Sequence, residues 1–168
     1  GAGKDSVMTG LCAQRPDLHR VRRVITRSPD AGGEDFEAVS RIESQRLAEN
    51  GDFALHWQAH GLFYGIPIDA HDILSNGTDV LANLSRGSLG NAHEAFETLI
   101  VLHITAAPDV LGKRLSERGR ETAAQISQRL IRPAPPMPEG PHVIEIDNSG
   151  ALADSVTAAC ATLYPDNA

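Results

Sequence analysis

The feature that most constrains the fold is a short apolar run at residues 99–105, Leu-Ile-Val-Leu-His-Ile-Thr. The run is rich in β-branched residues and does not alternate apolar with polar, so it predicts a strand covered on both faces, as in a parallel sheet. Parallel strands need long crossover connections, which are usually helices. Pro108, a residue that favours the first turn of a helix, follows shortly afterwards. The run therefore predicts an α/β domain.

Segments typical of strands and of helices alternate along the rest of the chain, which predicts a layered α/β domain. The predicted strands are at residues 18–25, 53–60, 79–84, 99–105 and 143–146. The predicted helices are at residues 6–13, 41–50, 67–76, 108–118, 121–131 and 150–163, with an extended proline-rich loop at 133–141. We expect one domain over residues 1–168, in which segments 28–83 and 116–133 are insertions that move against the core.

Composition narrows the class of protein. The formal net charge of −7 argues against a protein that coats nucleic acid, because such proteins are normally basic. Two cysteines, Cys12 and Cys160, form neither a disulfide framework nor a metal-ligand spacing, which favours a reduced, cytoplasmic location. No segment approaches the roughly 18 apolar residues of a membrane span, and no signal peptide is visible. We therefore expect small-molecule partners, with no membrane or nucleic-acid partner.

The first six residues carry the clearest chemistry: Gly1, Ala2, Gly3, Lys4, Asp5 and Ser6. A phosphate-binding loop needs glycines that turn backbone N–H groups toward one anion, a lysine for the outer phosphates and a following helix. A hydroxyl for Mg²⁺ usually follows the lysine; here Asp5 stands in that place and Ser6 comes next. On these residues alone an ordinary flexible terminus is an equally good interpretation, since the strand that precedes such a loop is absent.

Four longer segments resemble a known family: ITRSPDAGGEDFEAVS (25–40), GDFALHWQAHGLFYGIP (51–67), DVLANLSRG (79–87) and ERGRETAAQISQRL (117–130). They are similar to the ribose 1,5-bisphosphate phosphokinase family, a relative of guanylate kinase, and the resemblance covers nearly the whole chain. It implies a three-layer P-loop kinase fold, with a five-stranded parallel sheet flanked by helices, an acceptor-binding insertion and a lid. It also implies that the first strand is missing from the sequence. The implied reaction converts ATP and ribose 1,5-bisphosphate into ADP and 5-phosphoribosyl 1-diphosphate.

Departures from guanylate kinase indicate an acceptor with a phosphate but no base. Arg27 matches the first of two arginines that hold the nucleotide phosphate there, whereas Asp30 replaces the second. The groups that would contact the nucleotide are replaced by Phe36, Leu55, Ile66 and Ser85. Each unpaired polar group of a buried guanine would cost roughly 1–3 kcal/mol, so several such changes together would reject it.

The resemblance implies a role for further residues, although each has an ordinary structural alternative. Lys4 is expected to bind the γ-phosphate, together with the backbone of residues 1–6. The acceptor is expected to contact Arg23, Arg27, Tyr64 and Asn83. Among the neighbouring arginines 20, 22 and 23 we expect a single functional one, and histidines 56 and 60 are expected to be wall residues.

The run at residues 117–121 resembles the lid of the superfamily, at about residues 116–133. Arg114, Arg118 and Arg129 are the best matches to its arginines, which close over ATP and neutralise charge on the transferring phosphoryl group. An exposed helix rich in ion pairs is the alternative for each of them. Mg²⁺ is expected to arrive with ATP, near Asp5 or Ser6.

Two other classes of function stay open on the sequence. One is a kinase for a different small acceptor, such as a nucleoside monophosphate or a sugar acid. The other is a non-catalytic guanylate-kinase-like binding module, although such a module has no use for Lys4 and the lid arginines. The reaction needs no strong general base, because an acceptor phosphate oxygen is already anionic. A homodimer is a further expectation.

Overall fold

The computed structural model describes residues 2–31, 34–117, 119, 122–131 and 136–165, except for the side chain of Arg129. Helices and strands alternate along this part of the chain. The helices of this part are α1 (Lys4–Gln14), α2 (Arg41–Asn50), α3 (Ala70–Ser75), α4 (Leu89–Ala95), α5 (Pro108–Glu117), α6 (Ala123–Ile131) and α7 (Leu152–Leu163). The strands are β1 (His19–Arg20), β2 (Arg23–Ile25), β3 (Phe36–Ala38), β4 (Phe53–Ala59), β5 (Leu62–Pro67), β6 (Val80–Leu81), β7 (Ile100–Thr105) and β8 (His142–Asp147). The predicted α/β class is confirmed.

The strands form three hydrogen-bonded groups within the described residues. β7 and β8 pair in parallel, from Ile100 opposite His142 to Thr105 opposite Asp147. β1 and β6 form a second parallel pair. A mixed sheet has the order β3-β2-β5-β4, in which β2 and β3 are parallel and the other pairs are antiparallel. The parallel arrangement within the β1–β6 and β7–β8 pairs agrees with the parallel sheet that the resemblance implied, and the number of its strands stays a prediction.

The chain divides into two compact units, which we call the discontinuous unit (residues 1–14 and 100–168) and the continuous unit (residues 15–99). The continuous unit both begins before and ends after the expected insertion at 28–83. A single domain over 1–168 stays a prediction.

In the discontinuous unit, α1 packs against α7 through small and branched side chains. Val7 and Leu11 of α1 are buried, as are Val156 and Ala159 of α7. Gly10 lies at the closest approach, because a Cβ atom built on it would stand 2.4 Å from Val156 Cγ2. The absence of a side chain at position 10 therefore lets the two helices meet.

Gly10→Val is expected to destabilise the full chain by about 1–3 kcal/mol, because the added methyl groups overpack a filled contact. The measurement is the urea midpoint of unfolding. Gly90→Val in α4 is the matched control, since a Cβ there meets nothing within 4 Å. Equal midpoints for the two variants would contradict the close packing of α1 on α7.

The core of the continuous unit is built on the β4–β5 hairpin. Leu55 and Trp57 of β4 are buried while His56 and Gln58 are exposed, which is the period-2 pattern of a strand with one covered face. Trp57 stacks on Tyr64 of β5, with ring centroids 5.2 Å apart and planes 8° from parallel. The rest of the buried cluster comprises Val21, Ile66, Ala70 and Ala92. The buried members of this cluster are therefore aliphatic apart from Trp57.

The helix at 41–50 was predicted with its observed bounds, and its ends explain why. Ser40 is the N-cap, with its Oγ accepting a hydrogen bond from the Glu43 N–H at 3.1 Å. Gly51 closes the helix in the left-handed conformation, at φ 78°, which costs glycine little.

Several other segments differ from their predictions. The strand expected at 18–25 is two strands, β1 and β2, which belong to different sheets and are separated by Val21 and Arg22. Strand β3 and helix α4 were not predicted, because each is short and lacks a clear apolar period. The strand at 99–105 exists as β7, but it is mostly half-buried and Ile100 is 43% exposed. Part of the expected proline-rich loop, residues 132–135, lies outside the described residues.

Candidate active site

The turn before α1 has the geometry of a loop that presents its backbone to an anion. Gly3 has φ 87°, and a Cβ on it would lie 2.5 Å from Asn148 Nδ2. The helix begins at Lys4, and the Val7 N–H donates to the Gly3 carbonyl at 3.0 Å. Lys4 and Ser6 are exposed and Asp5 is half-buried. The helix N-terminus therefore presents a lysine and a hydroxyl to solvent, as an anion site requires.

Asn148 fixes the position of this loop, although no motif in the sequence indicated it. It follows β8, is 3% exposed, and its Nδ2 donates to the Ala2 carbonyl at 2.8 Å. Its backbone N–H donates to the Thr105 carbonyl at 2.8 Å, where β7 ends. The loop thus meets the carboxyl ends of two parallel strands, where α/β proteins commonly bind ligands.

Arg114 of α5 is held at the same place. Its Nη1 donates to the Asn148 carbonyl at 2.7 Å, and its side chain is half-buried. Ser149 connects the neighbouring segments, because its Oγ donates to Asp147 Oδ1 at 2.5 Å and accepts from the Ala107 N–H at 2.7 Å. The structure therefore brings Arg114 to the strand end that also holds the Gly3 loop.

Three of the residues predicted on the ATP side lie wholly or partly outside the described part of the structure. Gly1 and Arg118 lie outside the described residues, and for Arg129 only the backbone, in α6, is described. The expected lid at 116–133 includes the end of α5 and all of α6; these two helices pack against each other, and Leu115 and Ile126 are buried. Their roles stay predictions.

In the continuous unit, three predicted acceptor residues lie together. Arg23 is 6% exposed, and its Nη1 donates to the Asn83 carbonyl at 2.7 Å. Its guanidinium carbon lies 5.1 Å from the centre of the Tyr64 ring and 5.9 Å from that of Trp57. Arg23 also makes a two-point ion pair with Glu34, in which Nε donates to Oε2 at 3.1 Å and Nη2 donates to Oε1. Arg23 is therefore fixed by a carboxylate, a carbonyl and two rings.

Glu34 is the acidic partner of the buried Arg23. Its side chain is 13% exposed and faces Arg23, 11 residues earlier. Its neighbour Asp35 instead pairs with Arg22 at 3.0 Å, in an exposed contact. Glu34 therefore balances the buried charge of Arg23.

Arg27, the remaining acceptor candidate, lies just after β2. Its guanidinium carbon is 4.9 Å from the centre of the Phe36 ring. It lines an open groove of about 410 Å³, formed by residues 26–29 and 38–41. Arg41 lines the same groove and was not chosen from the sequence. The groove therefore holds two guanidinium groups.

Among the described residues there is no cluster of three or more His, Cys, Asp or Glu side chains that could hold a metal ion. No helix in the described ranges is both long and apolar enough to cross a membrane.

Known proteins resemble the chain in sequence and in fold, although no family model matches it. The chain is 50% identical over 169 residues to ribose 1,5-bisphosphate phosphokinase PhnN of Ruegeria sp. (strain TM1040), covering 100% of this chain and 89% of that protein. It is 48% identical over 158 residues to the protein of the same name from Agrobacterium fabrum (strain C58 / ATCC 33970), covering 92% and 86%.

Among solved structures, guanylate kinase from Anaplasma phagocytophilum matches with a TM-score of 0.64 and 18% identity, over 96% of this chain and 81% of that one. This match shows a guanylate-kinase-like fold. It confirms the P-loop kinase architecture expected from the sequence.

Proposed function

Because the chain belongs to the ribose 1,5-bisphosphate phosphokinase family, we propose that it phosphorylates ribose 1,5-bisphosphate with ATP. An oxygen of the acceptor's 1-phosphate forms a bond to the γ-phosphorus of ATP, and the bond from that phosphorus to the β-bridging oxygen breaks. ADP leaves with the electron pair, and the other product is 5-phosphoribosyl 1-diphosphate. The observation that carries this proposal is 50% identity over the whole chain to a curated member of the family.

On the ATP side, we assign phosphate binding to residues 1–6 and α1. The exposed Lys4 and the N-terminus of α1 supply positive charge to the phosphates. Arg114, held by the Asn148 carbonyl at 2.7 Å, is proposed to bind ATP, with Arg118 and Arg129 as lid arginines. Such groups stabilise charge on the transferring phosphoryl group.

Mg²⁺ is proposed to enter with ATP, and the first turn of α1 suits it. Ser6 offers an exposed hydroxyl and Asp5 a carboxylate, both oxygen donors of the kind that Mg²⁺ takes. When bound, the ion neutralises charge on the β- and γ-phosphates. The residues' own part is to orient the phosphate chain.

On the acceptor side, we propose that Arg23, Arg27, Tyr64 and Asn83 bind the sugar phosphate. Arg23 contacts two of the others, through the Asn83 carbonyl and the Tyr64 ring. The side chains then supply position and charge rather than a proton acceptor, since the attacking phosphate oxygen is anionic. A cytoplasmic location and a homodimer are further proposals, the first because ATP is supplied in the cytoplasm.

A guanylate kinase activity is the alternative that the fold match suggests, but the hairpin argues against it. Leu55 and Ile66 stand where the resemblance expects groups that read guanine, and they face each other across β4 and β5. Both belong to the buried core, at 6% and 1% exposure. Their side chains offer no hydrogen bond to a base, so guanine would lose its partners there.

The test is ADP formation by the full chain with three separate acceptors: ribose 1,5-bisphosphate, ribose 5-phosphate and GMP. We expect turnover with the bisphosphate at least about 100-fold above that with GMP, because a base would leave polar groups unpaired. Ribose 5-phosphate is the control, since it lacks the 1-phosphate that attacks. Faster turnover with GMP than with ribose 1,5-bisphosphate would contradict the proposed acceptor, but it would still agree with a kinase activity.

A further inference from the structure

The side-chain amide of Asn148 lies directly against the turn that precedes α1. Its Nδ2 donates to the Ala2 carbonyl at 2.8 Å, and the residue is 3% exposed. A Cβ atom built on Gly3 would stand 2.5 Å from the same nitrogen. The amide therefore touches both residues before Lys4, and a side chain at position 3 would displace it.

The hydrogen bond to Ala2 determines how the next peptide group is oriented. The C=O of Ala2 and the N–H of Gly3 belong to one planar trans peptide, so they point in opposite directions. A bond that draws the carbonyl toward Asn148 therefore turns the Gly3 N–H away from Asn148. A phosphate-binding loop depends on such control, because successive N–H groups must converge on one anion.

The backbone of Asn148 is itself held from two sides. Its N–H donates to the Thr105 carbonyl at 2.8 Å, and its C=O accepts from Arg114 Nη1 at 2.7 Å. Thr105 ends β7, and Arg114 lies in α5. The amide is thus carried by a backbone that is tied to a strand and a helix. Groups that are oriented before a ligand arrives lose less conformational entropy when it binds.

The amide oxygen separates this role from simple stabilisation. Asn148 Oδ1 is buried, and it has no hydrogen-bond partner among the residues that the structure describes. An unpaired buried acceptor costs stability, and an apolar side chain of the same shape would avoid that cost. The amide therefore adds little to the stability of the fold, and its N–H is the part that the turn uses.

We propose that Asn148 is a positioning residue for ATP. Through the Ala2 carbonyl it holds the turn at Gly3, so that the backbone N–H groups and Lys4 meet the phosphates together. The inference rests on the proposed function, because it concerns the loop to which ATP binding is assigned. Asn148 acts through the turn, without a contact of its own to the phosphates.

The test uses Asn148→Leu, which keeps the approximate shape of the side chain and removes its N–H. Calorimetry on the full chain should show a Kd for ADP with Mg²⁺ raised about 10-fold, since the loop loses a fixed hydrogen bond. The kcat should fall roughly 10-fold to 100-fold, because small displacements of positioned groups are costly. The KM for ribose 1,5-bisphosphate should change less than about two-fold. The urea midpoint of unfolding should stay close to that of the wild type, which a purely structural role would not allow.

Asn148→Asp is a second variant, closer still in shape, whose carboxylate has no proton to donate to the Ala2 carbonyl. Its affinity for ADP should fall at least as far as that of the leucine variant, because a negative charge is also added near the phosphates. Hydrogen exchange provides a readout without ligand. In both variants the amides of residues 3–7 should exchange faster, while those of α7 stay as in the wild type.

Ser155→Ala is the matched control. Ser155 is 4% exposed, and its Oγ donates to the Asp147 carbonyl at 3.0 Å, so the change also removes a buried hydrogen bond at the end of β8. This variant should keep the wild-type Kd for ADP, the wild-type kcat and the wild-type exchange of residues 3–7. Equal losses of ADP binding in the Ser155 and Asn148 variants would overturn the proposal, since they would indicate a general loosening of this segment.

The outcomes separate this inference from the function on which it rests. An unchanged Kd and kcat in both Asn148 variants would overturn it, and so would a lowered urea midpoint with an unchanged Kd. ADP binding that depends on Asn148, without turnover of ribose 1,5-bisphosphate by the wild type, would support the positioning role and contradict the proposed reaction. A wild type that does not bind ADP would contradict both.

Discussion

Lys4→Ala is expected to lower kcat by about 10²–10³-fold, the loss typical of removing one group that stabilises charge in the transition state. Lys4 is exposed at the first residue of α1, beside the turn at Gly3. Its ammonium group is proposed to contact the γ-phosphate as negative charge moves toward the leaving oxygen. The measurement is the steady-state rate of ADP formation with ribose 1,5-bisphosphate.

Lys113→Ala is the control for this change. Lys113, in α5, is the only other lysine of the chain and is also exposed. Its variant should keep the wild-type kcat, because no role in the site is proposed for it. Comparable rates for the Lys4 and Lys113 variants would remove Lys4 from the catalytic residues.

Glu34→Ala should give the largest loss of stability, about 3–5 kcal/mol in the free energy of unfolding. The change leaves the Arg23 guanidinium buried without its carboxylate, at a side-chain exposure of 7%. Removing one partner of a buried ion pair costs more than the pair contributes, because the remaining charge is still desolvated. The measurement is urea unfolding of the full chain.

The neighbouring acid provides the control. Asp35→Ala removes the partner of Arg22, in a pair whose side chains are 83% and 57% exposed. Exposed ion pairs contribute roughly 0–1 kcal/mol to stability, so the urea midpoint of unfolding of this variant should change little. A double change of Arg23→Met and Glu34→Leu should recover much of the stability, since apolar side chains can replace a buried ion pair. Failure to recover it would mean that Glu34 stabilises the fold by another route.

Local patterns predicted the regular elements well where one residue decides the outcome. Gly51, a residue that commonly ends helices, ends α2 in the structure as expected from the sequence. The strand at 18–25 was predicted as one element because Val and Arg continue through it, but the chain changes sheets at Val21 and Arg22. Sheet exchange depends on partners far along the chain, here β6 and β3, which a local window does not contain.

The candidate site, too, could be predicted only where its residues stand in short local segments. Lys4 and Arg27 stand in short segments that resemble a known family, so the sequence indicated both. Asn148 was missed because its partner, the Ala2 carbonyl, is 146 residues away. In the sequence Arg41 is an ordinary residue of an exposed helix. Only the structure shows that it lines the same groove as the segment after β2. What sequence reasoning could not supply was this long-range proximity.

The discontinuous unit has a consequence for the order in which the protein folds during synthesis. Residues 15–99 can complete their own core as soon as they leave the ribosome. Helix α1 is made before them, yet its apolar face lacks α7, and Ala2 lacks Asn148, until much later. At about 5–20 residues per second, synthesis of residues 100–163 takes roughly 3–13 s. During this time Val7 and Leu11 of α1 remain uncovered. A chaperone can therefore bind α1 before α7 is made.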